Sequence, residues 1–233
     1  MRGEVDAVGG DRRFQAASIL QTVTATELEP PTGRALALKE WAVVVRALLA
    51  GEQILDLRKG GIKEDGRHFA LKATRLWLYP TVEHQERDLV RPAYQRWIDD
   101  SERDAPPERA IRVEGWADVV GVAKLTEPDD LAKIDGKFIW TPEYAASRLS
   151  WKKRDALWVL ALRAYRLTEP ITVPFRDDYG GCTSWVDLAE LPDDPASLPS
   201  EPALSDRAFE ARFGFAANDL PDGLTEPVVD PSA

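Results

Sequence analysis

The chain of 233 residues is 44% hydrophobic and 30% charged, ordinary proportions for a globular protein, and no apolar run approaches the roughly 20 residues of a membrane-crossing helix. A single cysteine excludes an internal disulfide framework, and the first residues carry acids instead of leading into a secretory signal, so the cytosol is the expected compartment. The net charge of −10 is uneven: residues 192–233 hold nine acids against Arg207 and Arg212, which leaves the body close to balance and compatible with a phosphate-binding patch.

Residues 1–34 read as a polar N-terminal extension that ends in the breaker Glu29-Pro30-Pro31-Thr32-Gly33. The core is expected over residues 35–191. Its first apolar run, 41–49, is rich in valine and is followed after Gly51 by a second run, 53–58. Two such runs across a short glycine-containing link read as a β-hairpin, with a helix over 36–50 as the rival that Val43-Val44-Val45 disfavours. A strand is expected at 75–79, stopped by Pro80. Residues 92–98 have helical spacing with Pro92 in the first turn.

A long strand is expected over 111–125, with Gly115 and Gly121 as bulge or close-approach sites. Short helices follow after Thr126-Glu127-Pro128-Asp129 and after Thr141-Pro142-Glu143, separated by a brief strand at 137–140. Residues 156–167 are apolar on both faces, as in a central, doubly covered strand, although periodicity alone allows a buried helix. Pro174 restricts 171–175 to an edge strand or loop, and a last strand is expected at 182–188. Residues 192–233, with seven prolines, read as an acidic extended tail with one helical turn after Ser205-Asp206. The expected architecture is a single α+β domain, a mixed sheet of about six strands flanked by short helices.

Four segments carry candidate chemistry. Arg58-Lys59-Gly60-Gly61-Ile62-Lys63 joins cations to glycines that admit close backbone approach, the ingredients of an anion site; a solvated turn is the plainer reading. Tyr79-Pro80-Thr81-Val82-Glu83-His84-Gln85 holds one of two histidines. Glu83 and His84 are the candidate catalytic residues, imidazole being the usual acid–base group near neutral pH. Adjacent side chains do not face each other on a strand or a helix, so His84 needs Glu40, Glu143 or another distant acid as partner. The plainer reading has His84 and Gln85 satisfying loop backbone.

Trp151-Lys152-Lys153-Arg154 sets three cations beside an aromatic, a pattern suited to a phosphate backbone or single strand and equally to a charged surface. Tyr179-Gly180-Gly181-Cys182 presents a thiol after a tight turn. A nucleophilic thiol needs a base or cations close by, and a small buried thiol is the commoner state. Scattered Cys and His residues give no zinc pattern. An oxygen-ligand magnesium site stays open, and no cofactor is indicated.

The blocks Leu38-Lys-Glu-Trp-Ala-Val-Val with Arg58-Lys59-Gly60-Gly61, Trp77-Leu-Tyr79-Pro80-Thr-Val-Glu83-His84-Gln85, and Leu157-Trp158 with Tyr179-Gly180-Gly181-Cys182-Thr-Ser-Trp185 resemble the DUF1802 family. That resemblance implies no assigned activity, and a restriction-endonuclease-type partner in a restriction or defence setting. The order of elements, with a hairpin ending at Arg58 and a Trp-x-x-Pro at 77–80, is also similar to Nudix domains. No Arg-Glu-x-x-Glu-Glu run follows Pro80, so Nudix metal chemistry is expected to be absent or rebuilt. Together these readings point to a module binding a nucleotide or nucleic acid through Arg58, Lys59, Tyr79, His84 and the 152–154 cations. The alternatives are a nucleotide hydrolase using Glu83 and His84, and a structural partner in a larger complex.

Overall fold

The computed structural model describes residues 33–59, 64–65, 68–107, 109–150, 157–181, 183–220 and 222–229. Strand β1 (Leu36–Trp41) runs without a loop into helix α1 (Ala42–Leu49). This corrects the expected hairpin. Three consecutive valines cost a helix some side-chain freedom, but Val43, Val44, Val45, Ala47, Leu48 and Leu49 are all buried. Each such burial is worth on the order of 1–3 kcal/mol, well above the propensity cost. The first turn also finds acceptors for its amides. Trp41 N donates to Glu40 Oε2 at 3.1 Å, and Val43 N donates to Gln85 Oε1 at 3.0 Å.

After β2 (Leu55–Lys59), β3 (Glu64–Asp65), β4 (His68–Leu71) and β5 (Arg75–Thr81) come two 3-10 turns and α2 (Arg96–Arg103). The long β6 (Ala110–Leu125) leads to α3 (Pro128–Lys133) and α4 (Pro142–Ser150), and the longest strand, β7 (Leu157–Pro174), follows. The expected strand at 137–140 reduces to one bridge, Val90 to Trp140. Residues 171–174 are the far end of β7, paired with the start of β6. The chain closes with β8 (Trp185–Asp187), β9 (Ser200–Pro202), α5 (Asp206–Asp219) and β10 (Val228–Val229).

The main sheet has seven strands in the order β2-β7-β6-β5-β1-β8, with β9 also on β7; β10, β4 and β3 form a smaller sheet. Only β1 with β5 is parallel in the main sheet, so the sheet is mixed and the domain α+β, as composition and pattern indicate. Alternation along the strands feeds two cores. Leu36, Leu38, Leu76 and Leu78 face the larger cluster, which the helices cover, while Ala37, Trp77 and Tyr79 face a smaller one on the other side. Register shifts in the β6–β7 ladder fall between Val113 and Gly115 and between Val119 and Gly121. A Cβ at Gly115 would lie 2.2 Å from the Tyr165 carbonyl oxygen, so only glycine fits that close approach.

Residues 206–220 pack on the core, where the sequence predicts an extended tail with one helical turn. Ser205 caps α5, its hydroxyl accepting from Ala208 N at 3.4 Å, and Phe209, Phe213, Ala216 and Leu220 are buried in the larger core. Their three- and four-residue spacing is a helical stripe that the prolines and acids around it obscure. Thr225 then exchanges backbone hydrogen bonds with Val122, both 2.9 Å. Among the described residues no helix is long and apolar enough to cross a membrane.

Candidate functional site

Strands β1 and β5 are parallel, so both deliver their carboxyl ends to the same edge of the sheet. There a cleft of about 380 Å³ opens. Lys39, Glu40 and Trp41 from the end of β1, Arg58 and Lys59 from the end of β2, and Thr81, Glu83, His84 and Glu86 from the loop after β5 line it. Trp140, with Tyr144 and Arg148 of α4, forms the facing wall, and Gly181, Thr183 and Ser184 close one side.

One wall is aromatic. Trp41 meets Trp140 edge-on at 5.1 Å between ring centroids, and Tyr144 lies 4.3 Å from Trp140 and stacks on Trp41 at 6.4 Å. The Arg148 guanidinium sits over the Tyr144 ring at 5.8 Å. Trp140 is itself buried in the larger core, 3% exposed, so a planar ligand meets the half-buried Trp41 and Tyr144 that it backs, with a cation beside them.

The floor is a buried charge cluster. Arg58 is in direct contact with Glu40, and its Nη1 lies 3.7 Å from Asp56 Oδ2. Burial, with repulsion from Arg148, pulls the Arg58 guanidinium down to about 10, so it remains a cation at neutral pH. Asp56 is 1% exposed, and neither oxygen accepts a well-formed hydrogen bond. Burial pushes its carboxyl up to about 7, against smaller lowering effects from the Leu57 amide and Arg148. Burial also raises the Tyr144 phenol.

Lys39 stands at the rim. Its Nζ donates to the carbonyls of Tyr179 at 3.0 Å and Gly181 at 3.1 Å, contacts that fix the ammonium without cancelling its charge. An ammonium has three donors, so one is left for a ligand. Lys59 Nζ donates to the Leu149 carbonyl at 2.6 Å, tying the end of β2 to α4. The loop is held by Gln85 on the first turn of α1 and by Glu83 N on Thr81 Oγ1 at 3.2 Å. Between these anchors His84 has φ 61°, a left-handed conformation rare for residues other than glycine, and it is exposed at the cleft lip.

Of the sequence-picked residues, Arg58, Lys59, Glu83 and His84 therefore share one cleft. Glu40, a candidate partner for His84, lines it too, and Glu143 does not. Tyr79 is buried beneath Lys39, whose Nζ is 5.3 Å from the ring centroid. Burial and the Glu83 charge push its phenol up to about 12. The Tyr179 ring is turned into the smaller core, where its hydroxyl donates to Glu190 Oε2 at 2.6 Å. Only its carbonyl serves the cleft. Gly60, Gly61, Lys152, Lys153, Arg154 and Cys182 lie outside the described residues.

Lys39, Trp41, Trp140, Tyr144 and Arg148 escaped the sequence reading. Trp41 and Lys39 lie within the Leu38-Lys-Glu-Trp block, which held the signal. Among the described residues no three His, Cys, Asp or Glu side chains gather as a metal site. The loop after β5 opens no helix with paired glutamates, so the Nudix arrangement is not found.

A second cleft, of about 510 Å³, adjoins the first. Lys39, Thr81 and Glu83 line both.

The sequence profile of DUF1802, a domain of unknown function, matches residues 37–214. The chain belongs to the DUF1802 family. The matched region includes most of α5, in keeping with the packing of that helix on the core. No curated protein matches the chain. Among solved structures, the chain is similar to the ASCH protein of Zymomonas mobilis. A serine-to-alanine variant of that protein aligns with TM-score 0.41 and 15% identity, over 68% of this chain and 91% of that one. The ASCH structure without a substitution aligns with TM-score 0.39 and 15% identity, over 66% of this chain and 86% of the other.

Proposed function

We propose that this DUF1802 domain is a binding module for a phosphate-bearing ligand of nucleotide type, taken up in the cleft at the carboxyl ends of β1 and β5. The observation that carries the reading is the aromatic wall of Trp41, Trp140 and Tyr144 in the same cleft as Lys39, Arg58, Lys59 and Arg148. A base stacks on the accessible surface of Trp41 and Tyr144, which Trp140 backs from the core, and the phosphate meets Lys39 at the rim. The volume is within the roughly 300–1,000 Å³ of small-ligand sites. Stacking on one aromatic contributes about 1–3 kcal/mol per base.

Titration with uridine and adenosine 5′-monophosphates, followed by tryptophan fluorescence and calorimetry, tests it. Quenching with saturable binding is expected, weakened about tenfold in Trp41→Ala and in Lys39→Met. If neither nucleotide binds at millimolar concentration, the reading is wrong.

A second reading, hydrolysis of the same ligand using Glu83 and His84 as separate catalytic residues, is favoured by one observation: the left-handed backbone at His84 in a lip that also carries Glu83 and Glu86. Turnover over a nucleotide panel with magnesium or manganese, abolished in His84→Ala, would support it. Binding without turnover of any member would remove it.

A further inference from the structure

The second cleft differs from the first in character. It has no stacked aromatic wall. Ile111, Pro106, Pro107 and Phe175 give it apolar surface, and Arg46, Arg109 and Arg112 stand around it. Each arginine is paired with an exposed carboxylate: Arg46 with Asp104 at 3.5 Å, Arg109 with Asp177 at 3.0 Å, and Arg112 with Glu114 at 2.7 Å. Exposed pairs of this kind are weak, so a phosphate can take over the arginine at small cost. The Arg109 guanidinium also lies 5.7 Å from the centroid of the Phe175 ring, which repeats on a smaller scale the cation-beside-ring arrangement of the first cleft.

The two clefts meet at Lys39, Thr81 and Glu83. A ligand that fills both must pass this saddle, where the Lys39 ammonium is fixed by two carbonyls and has a donor to spare. A cation between two sites that each offer ring and apolar surface suits a chain whose flat groups alternate with anionic links. A free mononucleotide uses only one of the two. Single-stranded nucleic acid is the polymer with that repeat, and rings plus a cationic track are what hold it. Glu83 at the same saddle disfavours a phosphate on its own side and accepts from a sugar hydroxyl.

Resting on the nucleotide reading of the first cleft, we infer that the ligand is a single strand of at least two nucleotides. The second cleft holds the neighbour of the nucleotide stacked at Trp41, and Lys39 contacts the linking phosphate.

The test compares uridine 5′-monophosphate with uridine oligomers of two, four and six residues, and with deoxythymidine oligomers of the same lengths. Affinity is expected to rise at least tenfold from the monomer to the tetramer in one or both series. The dependence of log K on log salt should steepen by about 0.7 for each phosphate engaged. In the Arg46→Gln/Arg112→Gln double variant, which alters only exposed side chains, the gain with length should fall at least fivefold. Monomer binding should change less than twofold.

Equal affinity of monomer and tetramer in both series overturns the inference and leaves the first-cleft reading standing. So does a gain with length that the double variant keeps in full. Absence of binding by monomer and oligomers alike overturns both. Preference for the uridine series assigns the Glu83 contact to the ribose hydroxyl, and preference for the deoxy series removes that contact while keeping the strand.

Discussion

Replacing Asp56 with asparagine should change the pH dependence of stability in one direction only. In the native protein the carboxyl is 1% exposed, no donor forms a proper hydrogen bond to either oxygen, and the nearest cation, Arg58, is 3.7 Å away and already in contact with Glu40. Burial pushes it from the ordinary 3.8 up to about 7. Below the unfolded value both states hold the proton, and the group adds no pH dependence. Between about pH 4 and pH 7 only the folded state holds it, so stability falls by about 1.4 kcal/mol for each pH unit gained. Above pH 7 the folded protein bears the full cost of a buried carboxylate, about 4 kcal/mol.

The asparagine side chain mimics the protonated acid and has no charge to lose. The stability of Asp56→Asn minus that of the wild type should therefore rise steadily from pH 4 to 7 and level off above pH 8. Urea midpoints for the two proteins, taken at one-unit intervals with a common m-value, give this difference directly, and the pH dependence of groups remote from Asp56 cancels in it. A difference that stays flat from pH 4 to 8, or falls, would refute the argument that Asp56 is an uncompensated buried acid.

Gly115→Ala drives a methyl group to 2.2 Å from the Tyr165 carbonyl oxygen and 2.5 Å from Leu49 Cδ2; a loss of about 3 kcal/mol, or a drop in Tm on the order of 10 °C, is expected by thermal melting. Phe209→Ala empties a core position beneath α5 and should cost about 3–5 kcal/mol in urea denaturation, whereas a detached tail would lose nothing measurable. Arg75→Met leaves Asp118, 3% exposed, without the guanidinium that now contacts it at 2.8 and 3.3 Å. The loss, about 3 kcal/mol near pH 8, should shrink as the pH falls, because an Asp118 deprived of its partner is driven further toward the neutral form; a pH-independent loss would count against the pairing.

What the sequence reveals follows from where each signal resides. Strand β6 is legible through its alternation and the first part of β7 through its run of apolar residues on both faces. Gly115 marks a register shift because only a residue without Cβ admits the Tyr165 carbonyl so close, whereas Gly121 faces Leu224 and Phe213. Helix α3 announces itself through Pro128 and the acids of its first turn, and helix α4 through Pro142 and Thr141, whose hydroxyl accepts from Tyr144 N. Helix α1 is hidden, since the burial of its valines and the acceptor for the Val43 amide come from distant parts of the chain. Helix α5 is hidden for the opposite reason: its stripe of Phe209, Phe213, Ala216 and Leu220 is present, but the surrounding acids and prolines dominate composition. In the cleft, Arg58, Lys59, Glu83 and His84 can be picked by residue type. The aromatic wall cannot, because a tryptophan at the end of a strand looks the same whether it faces a core or a cleft. Alternation along β5 separates Tyr79 from its neighbours and turns it beneath Lys39.

The acids in the cleft constrain what binds there more sharply than the cations do. Arg58 lies between Glu40 and Asp56, so an arriving anion meets a cluster with no net positive charge, neutral while Asp56 holds its proton and negative once it is lost. Burying such ions is costly, and an apolar floor would give equal or greater stability, so the cluster argues for a role in recognition. With Arg58 largely neutralised and Lys59 buried and tied to the Leu149 carbonyl, the binding free energy of a nucleotide must come chiefly from the rings and from Lys39 at the rim, with Arg148 beside Tyr144 as the further cation. Two consequences separate this site from a simple anion pocket. Added phosphates should contribute little, so a nucleoside triphosphate should bind no more tightly than its monophosphate. Inorganic phosphate, which brings charge without a ring, should not compete at concentrations that saturate the nucleotide. Competition by phosphate alone would show that the cations, not the aromatic wall, dominate the cleft.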